Sequence, residues 1–599
     1  MSDAIELTTE NFESSIKKGE WVVDFWASWC VAPDTQIYHS PFHSKAANSI
    51  QKNDSIISFN QGLSQDRIIH SHTSRKNGHC KQITTSAGRV IKTTDDHAFF
   101  TKRGWIAADQ LTKEDKVAIL PVVDAIPFIG EENTLIDEDT FISLHTEYKN
   151  IKMYSEELKE KNLLPLKKDD PRILILSRII GALFSDGSLY KSKKNNYREI
   201  SFCLGQKEDV NHIVSDLSAL GFGIIHISER TNEHNIEGRA FTMHTFKVKC
   251  LSTALYLLLS ALGAPQGNKT NTVYSIPSWI QKGERAIKRE FLSAYLGGDG
   301  PRVSLRVTPR KGKNPYNSIN INDLEFRKRV DLAEKGVQFA YELSSLLQEF
   351  GITQTQVFYE IDPYLRKDNT RTAIIHISFP NNFKTGFILT QQIGYSYCSQ
   401  KQSLAFHAGE FLRELLQKRN SWEELHRKVM VLKEKGDSYQ EVSSKLSIAP
   451  LLAYQWMVKS IKPTVKKHYL KFDTWLAEAT ESLRDGFVWE NVDLIETVHL
   501  PQVQVIETEK HHNFIANGFL VHNCGPCKMM APEFEAAARE LKGKVNFGKV
   551  NVEDHFELSD KFNIMSIPTT MFFKNGKMVG AHTGALSKDE ILKLVKENL

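Results

Sequence analysis

Residues 21–35 read WVVDFWASWCVAPDT, and residues 519–535 read FLVHNCGPCKMMAPEFE. The first stretch is a short apolar run interrupted by one acid, Asp24, which is the pattern of a buried strand with a deliberately placed carboxylate. Burying an acid costs free energy, so its presence there points to a function. From Cys524 onward the chain reads as an amphipathic helix opened by C-G-P-C. Strands follow in KVNFGKVNV, IPTTMFF and KMVGAHTG, and a last helix in SKDEILKLVKEN. That is an α/β pattern without its first strand. Joining residues 1–29 to 524–599 supplies the strand and gives a 105-residue sequence containing VVDFWASWCGPCK.

The whole chain has 599 residues, too many for one hydrophobic core. Its 41% hydrophobic and 25% charged residues are those of ordinary globular protein, and no apolar run approaches the roughly 18 residues of a membrane span. The start, MSDAIELTTENFESS, lacks the basic and apolar regions of a signal peptide, so the expected location is cytoplasmic, with no membrane partner. Seven scattered cysteines do not make a disulfide framework, and only Cys524 and Cys527 have C-x-x-C spacing. Cys80, Cys203, Cys250 and Cys398 read as small buried apolar residues.

The joined sequence resembles thioredoxin over its whole length. The W-C-G-P-C-K site, Asp24, Lys549, the I-P-T stretch with Pro568, and Gly584 all fall where that family has them. The resemblance implies a protein disulfide reductase, monomeric and without a cofactor, that acts on protein disulfides and is recharged by a thioredoxin reductase. It implies a cis proline at Pro568. Cys524, at a helix N-terminus whose N–H groups favour thiolate, would be the attacking sulfur. Cys527 would resolve the mixed disulfide with help from Asp24. A C-x-x-C pair is also half of a zinc site, but no second Cys or His pair lies near it.

Residues 30–523 interrupt that sequence, and a stretch so long is not a loop. It begins with Cys30, ends in His522-Asn523, and is followed by Cys524, which places nucleophiles at both junctions. Cys30 can attack the Trp29 carbonyl to give a thioester, and Cys524 can take over the acyl group. Cyclisation of Asn523 then cuts its bond to Cys524, and an S-to-N shift leaves a Trp29–Cys524 peptide. Here the sequence resembles an intein. CVAPDTQI matches the family's first block, GRVIKTTDDHAFFTKRGWIAADQL contains its T-x-x-H as Thr94 to His97, and HHNFIANGFLVHN matches its last two blocks. The resemblance implies that Thr94 and His97 activate the Trp29–Cys30 amide, that His522 assists Asn523, and that His512 shuttles a proton. Inteins of this kind often carry an aspartate before H-N-F, where this chain has Val505; Glu507 and Glu509 are the nearby acids.

Inside the insert two nonamers recur, IIGALFSDG at 179–187 and LSAYLGGDG at 292–300. Small residues at helical spacing let two helices approach closely and bring Asp186 and Asp299 side by side, where they can hold a divalent metal. The nonamers resemble the paired motifs of LAGLIDADG homing endonucleases. The implied cofactor is Mg2+ and the implied partner a double-stranded DNA homing site; splicing itself needs no cofactor. Tyr274 stands where some members have a lysine, with Lys269 close but out of register. Residues 436–458 read as a helix-turn-helix, in a 410–470 stretch with 12 Lys/Arg against 7 Asp/Glu. The alternative there is a helical hairpin with a solvated basic face. The insert carries net charge +7 and the joined flanks −3, so the charge suited to DNA lies in the insert.

The expected fold is a multidomain α/β and α+β chain: a thioredoxin fold split by a β-rich Hint-type splicing domain that carries an inserted LAGLIDADG α+β endonuclease. The expected domains are 1–29 and 524–599 (thioredoxin), 30–125 and 485–523 (splicing), 126–405 (endonuclease) and 406–484 (helical, DNA-binding). The expected function is a precursor that excises 30–523 and joins Trp29 to Cys524. The competing reading is a permanent fusion in which the insert is never removed. Because Cys524 serves both splicing and the disulfide with Cys527, oxidation is expected to halt splicing.

Overall fold

The computed structural model describes residues 4–26, 30–60, 62–191, 197–223, 225–236, 239–310, 313–366, 369–461, 471–483, 486–522, 525–551, 555–562, 564, 568–584 and 586–599. Two compact units result, Met1–Pro121 with Ala477–Leu599, and Val122–Leu476. No helix among the described residues is long and apolar enough to cross a membrane.

The first unit contains two sheets. In the smaller, the spatial order is Ile5–Glu6, Asn546–Asn551, Glu20–Trp26, Thr569–Lys574 and Lys577–Thr583. The WVVDFW segment is the central strand, parallel to 546–551 and antiparallel to 569–574. Its period of two divides the core. Val22 packs with Met530, Phe534, Ile591 and Val595, from helices Gly525–Glu540 and Lys588–Asn598. Trp21, Val23 and Phe25 face Phe12, Ile16 and Leu558, from the short helices Phe12–Ile16 and Phe556–Lys561. Those two helices have five and six residues, too few for a periodic signal in the sequence.

The larger sheet runs 43–46, 36–40, 513–516, 519–522, 98–101, 116–119, 488–508, 30–31, 90–94, 63–85 and 55–59, with 104–107 beside 98–101. Its two longest strands, Leu63–Thr85 and Val488–Thr508, pair antiparallel with three register shifts. One shift falls between Leu500 and Gln502, across Pro501, whose missing N–H is tolerated at a bulge. The hairpin 513–522 turns on Asn517-Gly518, at φ +50° and +90°. Asn-Gly favours this conformation because its turn needs two positive φ values.

The second unit is built around helices Arg172–Phe184 and Arg285–Asp299. A Cβ on Gly181 would lie 2.3 Å from the Phe291 carbonyl oxygen, so glycine is what permits this backbone approach. Ser177 Oγ donates to the Ile287 carbonyl at 2.7 Å, and Arg178 bridges Asp216 and Glu290 in the same buried interface. A four-stranded sheet (187–191, 198–204, 239–250, 225–236) follows the first helix. A hairpin (303–310, 313–321) and a three-stranded sheet (324–329, 372–378, 356–361) follow the second. Helix Ser399–Glu434 runs unbroken through the 405/406 boundary drawn from the sequence, and the unit closes at Leu476 rather than at 484. Helices Tyr439–Leu446 and Pro450–Met457 pack on it through Val429, Val442, Ala453, Trp456 and Met457. The first of these opens with a capping box of Ser438 and Glu441, and the second starts at Pro450, whose lost N–H is unneeded there. Cys80 and Cys250 are buried, whereas Cys398 is half-buried and Cys203 exposed, which corrects the expectation that all four lie in the core.

Candidate functional site

Cys30 opens the two-residue strand Cys30–Val31 and is fully buried with Cys80, Val503 and Val505. Its backbone N–H, half of the Trp29–Cys30 amide, donates to Thr94 Oγ1 at 3.4 Å. His97 follows a tight turn in which its own N–H donates to the Thr94 carbonyl at 3.2 Å. Burial pushes the His97 imidazole down to about 3, the neighbouring His522 lowers it further, and a hydrogen bond with the Cys30 backbone opposes both. The ring is therefore neutral at physiological pH. Trp29 lies outside the described residues.

The other junction is approached along strand Phe519–His522. His522 pairs in register with Asn513, and its ring stands nearly perpendicular to the Trp105 indole with centroids 4.7 Å apart. His512, half-buried, sits just before that pair at φ +54°. Cys30, Thr94, His97 and His522 are thus gathered around one end of the sheet. Asn523 and Cys524 lie outside the described residues, as does the side chain of Cys527. Val505 pairs directly with Cys30. Glu507 lies two residues further along the strand opposite His70, and Glu509 is exposed.

In the smaller sheet Asp24 is 2% exposed, and one carboxylate oxygen has no hydrogen-bond partner among the described residues. Burial raises its pKa to about 7, against the opposing charge of Lys549. Lys549 is its register neighbour on the adjacent strand, but the Lys549 ammonium donates to Glu535 at 2.7 Å. Pro568 is buried and its carbonyl accepts from Gly584 N–H; its bond to residue 567 lies outside the described residues.

In the second unit Asp186 and Asp299 end the paired helices. A Cβ on Gly298 would come 2.9 Å from Asp186 Oδ2, so the first acid lies against the residue preceding the second. Burial and Asp186 push Asp299 up to about 6, and burial raises Asp186 while Lys269 and Lys401 oppose it. Both lysines close helix ends. Lys269 donates to the carbonyls of Leu183, Ser185 and Gly187, and Lys401 to those of Leu296, Gly298 and Gly300, the matching positions of the second nonamer. Such lysines satisfy the last helical carbonyls and complement the dipole. Tyr274 does not fill a lysine's place. Its ring packs on Phe184 and Phe339 and carries Lys328 Nζ 3.4 Å from its centroid. Among the described residues no three His, Cys, Asp or Glu form a metal-binding group. The pair nevertheless fits a hard divalent ion, since its donors are all oxygen and a cation would relieve the mutual repulsion of the two acids.

The sequence pattern of the intein splicing domain family matches residues 39–523, well over half of the chain. The chain belongs to that family. The thioredoxin family matches residues 502–597. The thioredoxin of Chlamydia caviae is 37% identical over 101 residues, which are 98% of that protein and 16% of this chain. The intein-bearing chain is therefore a member of the thioredoxin family as well. Over 74% of its length it is also similar to two archaeal proteins. One is the DNA-directed RNA polymerase subunit Rpo1N of Methanocaldococcus jannaschii, 30% identical over 456 residues, 30% of that protein. The other is the tRNA-splicing ligase RtcB of Pyrococcus furiosus, 28% identical over 460 residues, 44% of that protein. The chain spans less than half the length of either.

Sequence reasoning missed Trp105 and Lys401. Trp105 lies just beyond the T-x-x-H segment of the intein and could have been suspected from its place in that block. Lys401 carries no local signal, because it is 102 residues beyond Asp299 and only the fold brings it back.

Proposed function

We propose that this chain is a splicing precursor whose product is a thioredoxin. The observation that carries the reading is the central strand Glu20–Trp26, which precedes the insert yet lies between strands 546–551 and 569–574, which follow it. The flanks thus form one sheet while the amide at the first junction is held by Thr94 and His97. In the reaction, the Cys30 thiol adds to the Trp29 carbonyl, the C–N bond breaks, and the freed amine of Cys30 takes the proton. Thr94 and His97 support that breakage at the nitrogen. The Cys524 thiol displaces the Cys30 thiol from the thioester. The Asn523 side-chain nitrogen attacks its own carbonyl, giving a succinimide and releasing the Cys524 amine, with His522 and His512 moving protons. That amine captures the thioester and leaves a Trp29–Cys524 peptide. Cys524 and Cys527 then carry the disulfide chemistry, with Asp24 as proton acceptor. Cys30→Ala and Asn523→Ala separate the two junctions: the first should abolish thiol-induced release of residues 1–29, and the second release of 524–599. Either variant splicing normally would contradict the assignment.

The 122–476 unit reads best as a DNA endonuclease of the LAGLIDADG kind. Support comes from the paired helices ending in Asp186 and Asp299, the two lysines at their ends, and the excess of Lys/Arg over residues 410–470. Asp186 and Asp299 would hold Mg2+, which supplies Lewis-acid activation of a phosphate when bound. The segment 439–457 would lie on the duplex as a helix-turn-helix. The test is cleavage of a duplex carrying the uninterrupted thioredoxin coding sequence across the Trp29–Cys524 junction. No cleavage of that duplex in Mg2+ would remove this reading.

A further inference from the structure

The hairpin ending in His522 begins at a turn over residues 508–513, and a side chain from another strand ties that turn down. Asp66, on strand Leu63–Thr85, is only 3% exposed. Its carboxylate accepts the backbone N–H groups of Arg67 at 2.7 Å, Lys510 at 3.0 Å and His511 at 2.7 Å. Glu509 N–H donates to the Arg67 carbonyl at 2.9 Å, which fastens the same turn to the same strand. Asn513 holds the other side. Its side chain accepts from Phe59 N–H at 2.7 Å and donates to the Phe59 and His511 carbonyls at 2.9 and 2.8 Å.

His512 lies between these two anchors in the left-handed region, at φ +54°. Histidine enters that region more readily than most residues, at some cost, and here residues 509–511 and 513 are each fixed on either side of it. Asn513 is the register partner of His522, so the turn sets where the His512 imidazole stands relative to the residue before Asn523. Asp66 touches no reacting atom. Its bonds go to backbone N–H groups and to the Thr508 hydroxyl at the start of the same turn, and they fix the direction of the chain at His512.

We infer that Asp66 is a positioning residue for cleavage of the Asn523–Cys524 bond, holding the turn that presents His512. This rests on the splicing reading above. A role in one junction only distinguishes it from a residue that merely keeps the sheet folded.

The experiment follows the full chain under reducing conditions at both bonds. Release of residues 1–29 by added thiol reports the Cys30 junction and the integrity of the sheet; release of 524–599 reports Asn523. Asp66→Ala is expected to slow the second release roughly tenfold or more while leaving the first within about twofold. Asp66→Asn, which keeps one acceptor oxygen and the shape, should fall between, and it serves if the alanine variant does not fold. Adding Asp66→Ala to His512→Ala should cost nothing further, because both remove the same proton path. Equal slowing at both bonds, full activity of Asp66→Ala, or additive losses in the double variant would overturn the inference. A wild-type chain inert at both bonds would overturn the splicing reading itself, and this inference with it.

Discussion

Val505 pairs directly opposite Cys30 across two antiparallel strands, and both side chains are fully buried. The position that often carries an acid in inteins therefore places an isopropyl group beside Cys30, the proposed first nucleophile. Cys30 packs in an apolar cluster with Cys80, Val503 and Val505. Val505→Asp would put a proton acceptor beside it. Thiol-induced release of residues 1–29 is predicted to speed up about tenfold, below the 10²–10⁴ range of a fully positioned base. Val505→Ala should leave that rate within about twofold, and no gain from Val505→Asp in a folded chain would contradict the prediction.

His97 is buried and neutral, and its pH signature follows. Its pKa is about 3 in the folded unit against 6.5 when exposed. Below pH 6.5 the unfolded chain binds a proton that the folded one does not, so stability falls with falling pH. Between pH 7.5 and 5 the loss is about 2 kcal/mol. Denaturant unfolding should show it, and His97→Gln should remove it while slowing the first junction.

Asp24 has the opposite sign. Its folded pKa of about 7 lies above the exposed value of 3.8, so it favours the fold at low pH and ceases to as pH rises through 7. Asp24→Asn should stabilise the joined domain above pH 7 by on the order of 4 kcal/mol and have little effect below pH 4. Disulfide reduction by that variant should be slower, since Cys527 loses its proton acceptor. An unchanged unfolding midpoint at pH 8 would contradict the assignment.

The acids of the second unit should be separable from splicing. Asp186→Asn or Asp299→Asn, or chelation of Mg2+, is predicted to abolish DNA cleavage and leave splicing within about twofold, because the two chemistries share no residue. Lys269→Met and Lys401→Met should each lower cleavage, measured on the same duplex. Loss of splicing in either aspartate variant would show that the units are not independent.

In the proposed scheme Cys524 belongs to two reactions, and a disulfide with Cys527 would remove the thiol that must accept the acyl group. Oxidised precursor is therefore predicted not to splice and to resume on addition of reductant. In Cys527→Ser the oxidant sensitivity should vanish. Equal rates with and without oxidant in the native chain would dismiss the gate.

Much of this architecture was legible in local pattern. The run WVVDFW announced a buried strand, and its alternate residues face two helix layers. Thr94 and His97 were legible because three residues of spacing suffice to put both on one tight turn. What could not be read depends on register between distant strands. Asp66 reaches His511 across 445 positions, and Val505 meets Cys30 only because the long strand Val488–Thr508 pairs with the two-residue strand Cys30–Val31. The place of Lys269 was not legible either: it stands out of register with the motif in the sequence, but the 3₁₀ turn Lys269–Asn271 brings it to the helix end, while half-buried Tyr274 packs against the core.

The most direct measurement is the intact mass of the protein purified under strong reductant. Splicing predicts a 105-residue species containing a Trp29–Cys524 peptide, beside a free 494-residue piece. A single chain at 68.2 kDa that persists under those conditions would contradict it and leave a permanent fusion.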